Sequence, residues 1–142
     1  VLTLREHTTK KLLYLIPISL PTNISIEWTH SVELTRWRET YKVNKKGKFE
    51  LIESRFKSFG AGVPANEGKE FFSENGWNVM RDFNRVFLFI PIMISCNVKQ
   101  EIFLDDKQIK LCDISNDASF LDIKNEKISI WQYIAGNLNE RK

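Results

Sequence analysis

Apolar and polar residues alternate with a period of two through most of the first 112 positions, the signature of half-buried β-strands. "LLYLIPI" predicts a first strand, limited by Pro17 and Pro21 and therefore expected at a sheet edge. "NISIEWTHSV" predicts a second, with Ile24, Ile26, Trp28, His30 and Val32 on one face. "RWRETYKV" predicts a third, with Trp37, Glu39, Tyr41 and Val43 together. "NKKGK" then turns the chain, with Gly47 suited to a positive φ, and "FELIESRFKSF" predicts a fourth strand. Gly60 to Asn75 reads as a loop, because "GAGVPANEG" is rich in Gly and Pro. "GWNVM" predicts a short strand, "VFLFIPIMI" a buried one, and "NVKQEIFL" with "KQIKL" a half-exposed hairpin around "DD".

The spacing changes near the C-terminus. In "KISIWQYIAGNL", Ile128, Trp131, Ala135 and Leu138 fall at helical intervals, although Gly136 weakens a helix. The expected fold is therefore mainly β: an antiparallel β-sandwich or small barrel with a short C-terminal helix. One domain is expected over 1–142, with a polar N-terminal segment at 1–10 and a C-terminal extension, helical in part, at 113–142.

Composition adds bounds. The 142 residues suffice for a sizeable core, and 42% hydrophobic with 12% aromatic is ordinary for a globular chain. The formal charge is +3, with basic residues scattered along the sequence, which argues against a nucleic-acid partner. No apolar run reaches the ~18 residues of a membrane span. "KKLLYLIPISLP" imitates a signal peptide, but polar "REHTT" precedes it and no small-residue cleavage site follows. Cys96 and Cys112 match no zinc spacing. Two buried free thiols are the favoured reading, and a disulfide requires that the two lie on neighbouring strands.

Two polar residues stand in apolar series. If strands two and three form a hairpin with a tip at Glu33 to Arg36, His30 faces Glu39, Trp28 faces Tyr41 and Ile26 faces Val43. Opposite Cβ atoms lie about 4.5–5.5 Å apart, so His30 and Glu39 would hydrogen-bond. A carboxylate and an imidazole in an aromatic setting offset each other's burial, which makes a structural pair and a binding site equally good readings. Ser31 points to the opposite face, so "HS" is not a nucleophile beside its base; Ser54 or Ser58 would have to serve a hydrolase. Zinc is disfavoured, because His7 is remote in sequence and Glu33 faces away. With a five-residue tip at "NKKGK", Glu39 falls opposite Glu53 and diagonal to Arg55. Arg55 would then extend the polar pair or offer a fork to a carboxylate ligand. Gly60 and Gly62 suit a packing turn better than an anion cradle. No residue is assigned as catalytic or metal-binding, and no cofactor is implied.

"HSVELTRWRETYKV", followed by "SRFKSFGAGVP" and then "GW", resembles the bacterial domain of unknown function 1850 family. The matching positions are His30, Ser31, Val32, Glu33, Thr35, Glu39, Arg55, Ser58, Gly60, Ala61, Gly62 and Pro64, and the likeness runs from about Leu12 to Leu111. The resemblance implies an exported chain made with an N-terminal signal or anchor, and a sequence that opens at Val1 would then be its trimmed ectodomain. It also implies genes beside TRAP-type transporters that use a TAXI-class solute receptor, and it implies no established reaction. The expected function is a non-enzymatic extracytoplasmic accessory or binding domain whose partner is a transporter component or a small solute. The alternatives are a small hydrolase using His30, Glu39 and a serine, and a purely structural exported domain.

Overall fold

The structure is a computed structural model that describes residues 1–29, 35–57, 70–74, 77–129, 131 and 134. Eleven strands are described: β1 (Leu2–Glu6), β2 (Leu12–Ile16), β3 (Thr22–Thr29), β4 (Arg36–Val43), β5 (Phe49–Phe56), β6 (Glu70–Glu74), β7 (Trp77–Phe87), β8 (Phe89–Met93), β9 (Glu101–Leu104), β10 (Lys107–Lys110) and β11 (Phe120–Asn125). Two short 3-10 turns, Cys96–Val98 and Leu111–Asp113, follow β8 and β10. The strands form two open antiparallel sheets. One has the order β2-β1-β11-β8, the other β10-β9-β3-β4-β5-β7-β6. The mainly antiparallel β class is thus observed, and no closed barrel forms among the described strands.

Alternation decides which face each strand buries. Leu2 and Leu4 of β1, with Leu121 and Ile123 of β11, point into the core from the four-stranded sheet. Ile24, Ile26, Tyr41, Val43, Phe49 and Ile102 meet them from the seven-stranded sheet, and all belong to one buried cluster. A second cluster joins Trp37, Phe56 and Met80, with Trp28 packed against it. Trp28 stacks on Trp37 with ring centroids 6.3 Å apart, and Trp37 on Phe56 at 4.7 Å.

Several expectations hold. β2 is an edge strand that ends just before Pro17. The β4–β5 tip pairs Val43 with Phe49, leaving five residues, and Gly47 within it has φ 82°. Others change. The polar N-terminal segment contains β1, and the C-terminal extension contains β11, which pairs with β1 and β8 in the interior of the smaller sheet. Trp77 to Met80 of "GWNVM" and the start of "VFLFIPIMI" belong to one long strand, β7, while the rest forms β8 at the edge of the other sheet. β8 is not buried on both faces: Phe89 and Met93 are exposed. The expected C-terminal helix lies outside the described residues apart from Trp131 and Ile134, and both of these are exposed.

The cysteines are joined, not free. Cys96 and Cys112 form a disulfide with Cα atoms 5.5 Å apart. They sit in the two 3-10 turns and not on paired strands, so strand parity could not have brought them together. The bond ties the chain leaving β8 of one sheet to the chain leaving β10 of the other.

Two measurements check this architecture. Ile123→Ala removes a fully buried side chain from the centre of the shared core and should lower unfolding free energy by about 2–5 kcal/mol, read from the urea midpoint. Replacing both cysteines by serine opens a link of sequence separation 16 and should cost roughly 3 kcal/mol on the chain-entropy scale.

Candidate functional site

Glu39 lies on the core-facing side of β4, between Trp37 and Tyr41. Its cross-strand neighbours are Ile26 on β3 and Ser54 on β5. Neither was expected. Every β3 residue pairs with a β4 residue four positions earlier than the assumed tip implies: Ile26 with Glu39 instead of Val43, and Trp28 with Trp37 instead of Tyr41. An even shift keeps every side chain on its face, so the apolar pattern could not discriminate between the two registers. The aromatic stacking of Trp28 on Trp37 and the pairing of Glu27 with Arg38 on the outer face go with the observed one. The expected His30–Glu39 opposition is therefore corrected as far as Glu39 is concerned. His30 itself, with Ser58, Gly60 and Gly62, lies outside the described residues.

Arg55 is the second correction. The ladder from Val43–Phe49 runs regularly to Tyr41–Leu51 and then skips Ile52, so that Thr40 meets Glu53 and Glu39 meets Ser54. This one-residue bulge inverts parity along the rest of β5. Arg55 consequently stands on the outer face, paired with Arg38 across the ladder and bonded through Nε to Glu53. On the same face Glu27 receives Arg36 Nε at 2.9 Å and Arg38 Nε at 3.0 Å. The network proposed between Glu39 and Arg55 does not exist, because the sheet lies between them.

What surrounds Glu39 instead is a cavity of about 250 Å³ between the two sheets. Ile26, Trp28, Glu39 and Tyr41 form its floor from the larger sheet. Edge strand β8 contributes Ile90 to Met93, and Gln100 closes one side. The larger sheet extends beyond the smaller one, and the cavity opens where β8 ends the cover. Gln100 fixes that wall: its side-chain oxygen accepts Ser95 N–H at 2.8 Å and its amide donates to the Met93 carbonyl at 2.9 Å.

The polar centre is a short bond. The Tyr41 hydroxyl donates to Glu39 Oε2 at 2.6 Å. Burial raises the Tyr41 pKa far above its usual value; the charge of Glu39 and this hydrogen bond add to the rise, and Arg85 opposes it weakly. Tyr41 thus stays a neutral donor, and Glu39 keeps a carboxylate oxygen for other contacts. Tyr41 was legible as an aromatic on the right face. Gln100 and the β8 residues were not, because they arrive from the other side of the core.

Ser54 has a buried place opposite Glu39. Elsewhere, His7 Nδ1 lies 3.0 Å from both oxygens of the buried Asp122, which anchors the β1–β2 corner to β11. No group of three or more metal-ligating side chains occurs among the described residues, nor does any described helix have the length and apolarity to cross a membrane.

Residues 24–111, more than half of the chain, match the model of the family described as Domain of unknown function (DUF1850). The chain belongs to this family. The DUF1850 match begins in β3 and ends just after β10, and so includes Glu39, Tyr41, β8 and Gln100. No curated protein and no solved structure matches the chain.

The Tyr41 shift has a signed consequence. Below about pH 10 the hydroxyl keeps its proton in folded and unfolded chains alike. Above it only the folded chain does, so stability falls as pH rises, by about 1.4 kcal/mol per unit. Tyr41→Phe should remove that contribution, seen as a smaller loss of urea resistance than wild type between about pH 9 and about pH 11.

Proposed function

We propose that this DUF1850 chain is a non-enzymatic extracytoplasmic binding or accessory domain linked to TRAP-type solute uptake. The observation that carries the binding role is the cavity at Glu39. It is concave, walled by Trp28, Ile26 and the β8 residues, and supplied with few polar groups, which is the usual make-up of a small-ligand site. The Cys96–Cys112 disulfide supports an oxidising compartment. The motif resemblance supports the link to a TAXI-class TRAP transporter, whose component or whose solute is the partner.

A hydrolase reading draws on one observation, the placement of Ser54 opposite Glu39. Ser54 is only 6% exposed, which gives its hydroxyl little access to a substrate, so the binding reading is adopted.

The test is genetic and biochemical. In a host lacking the gene, the wild-type chain should restore solute uptake, while Glu39→Gln, accumulating to the same level, should lower uptake about tenfold, as expected for loss of a charged contact. Wild-type uptake by the variant would sink the binding role. Protein taken directly from cells should resist thiol alkylation until reduced; immediate alkylation would rule out the oxidising compartment.

A further inference from the structure

The chemistry left open in the Glu39 cavity is one-sided. Among the described lining residues Glu39 carries the only formal charge at neutral pH. Tyr41 already commits its one O–H to Glu39, so its oxygen can only accept a further hydrogen bond. Gln100 spends its carbonyl on Ser95 and one N–H on Met93, which leaves it a single uncharged N–H donor. The second Glu39 oxygen therefore dominates what a ligand meets, and it selects a donor.

Charge points the same way. No cation among the described residues pairs with Glu39. Arg38 and Arg55 stand on the other face with Glu27 and Glu53 as partners, while Arg85, paired with Leu51 and so on the inner face, sits over the Phe87 ring and is the smallest of the influences on Tyr41. A half-buried carboxylate beside apolar walls gains most from a ligand that brings its own positive charge. Trp28 supplies the second element: an indole lining the cavity and backed by its stack on Trp37, the kind of surface that attracts a cation above its face. Ile26, Ile90 and Ile92 accommodate the carbon body.

From this we infer that the cavity takes a small organic ammonium ion with a short apolar body, its nitrogen at Glu39 and Trp28. The inference rests on the binding role proposed above and names the ligand class for it. It also reverses the expectation of a carboxylate ligand held by Arg55, because the cavity presents an anion and not a guanidinium.

The experiment is an NMR titration of the full chain, disulfide intact, following the indole N–H and Tyr41 ring signals. Three probes of similar size are compared: butylammonium, 1-butanol and butyrate. Butylammonium should bind about tenfold more tightly than 1-butanol, the scale of one hydrogen bond to a charged group, and butyrate should give no saturable shift. Glu39→Gln should bring butylammonium down to the level of 1-butanol while thermal unfolding stays cooperative. Trp28→Leu should weaken butylammonium more than 1-butanol. N-acetyl-Gly-Lys-Gly amide, whose only ammonium is the lysine side chain, separates two sources of the same group: weaker binding than butylammonium supports a free amine, tighter binding a lysine side chain. Equal binding of all three probes, or preference for butyrate, overturns the ammonium assignment but leaves a binding site. No saturable shift from any probe overturns both.

Discussion

Between Leu51 and Glu53 the β5 strand carries one residue more than β4 can pair, and its register against β7 shifts at the same place. Ile52 absorbs the mismatch. On the Gly47 side of it Phe49 and Leu51 fill the core; beyond it Ser54 and Phe56 do. Had the ladder stayed regular, Glu53 and Arg55 would face inward beside Glu39, setting two carboxylates and a guanidinium into the space where Phe56 now stacks on Trp37. Burying those charges would cost several kcal/mol each unless fully paired. The bulge sends Arg55 and Glu53 outward, where they bond to each other in contact with solvent, and leaves Glu39 the charged group on the inner face of the paired β4 and β5 residues.

The unequal size of the two sheets acts together with this. A four-stranded sheet cannot cover a seven-stranded one, so part of the inner surface of the larger sheet meets something other than the smaller sheet's side chains. At β3 and β4 the cover ends in β8, whose proline at position 91 suits an edge. Glu39 lies at that rim, enclosed enough for its bond to Tyr41 to matter and open enough to be reached. The Gln100 side chain holds the rim in place by bonding to the backbone on both sides of Ile94. The nearby disulfide joins two segments by which the chain passes between the sheets, β8 to β9 and β10 to β11.

Side-chain parity was readable in the sequence wherever a strand ran without interruption. Trp28, Trp37, Glu39 and Tyr41 do share a face, the Gly47 turn closes the predicted hairpin, and β2 is an edge. Register was not readable, because shifting β3 along β4 by an even number of residues preserves the same pattern. The bulge at Ile52 leaves no mark in composition, since Ile fits a core, a rim or a bulge alike. β1 and β11 were missed for a different reason. Each offers only two inward apolar residues, Leu2 and Leu4 or Leu121 and Ile123, between polar neighbours, too few for a period to stand out. Their strand character comes from pairing with each other across more than a hundred residues of chain.

That pairing separates two units that are easily equated. The span matched by the family runs from 24 to 111 and contains the described strands of the larger sheet except the first residues of β3, but of the smaller sheet it contains β8 alone. β1, β2 and β11 come from the flanks. A protein trimmed to the matched span would present Ile24, Val43, Phe49 and Ile102 to water, an apolar surface of the kind that drives association. The recognisable segment and the folding segment are therefore different lengths of the same chain, and boundaries for expression, or for comparing relatives, belong at the ends of the smaller sheet.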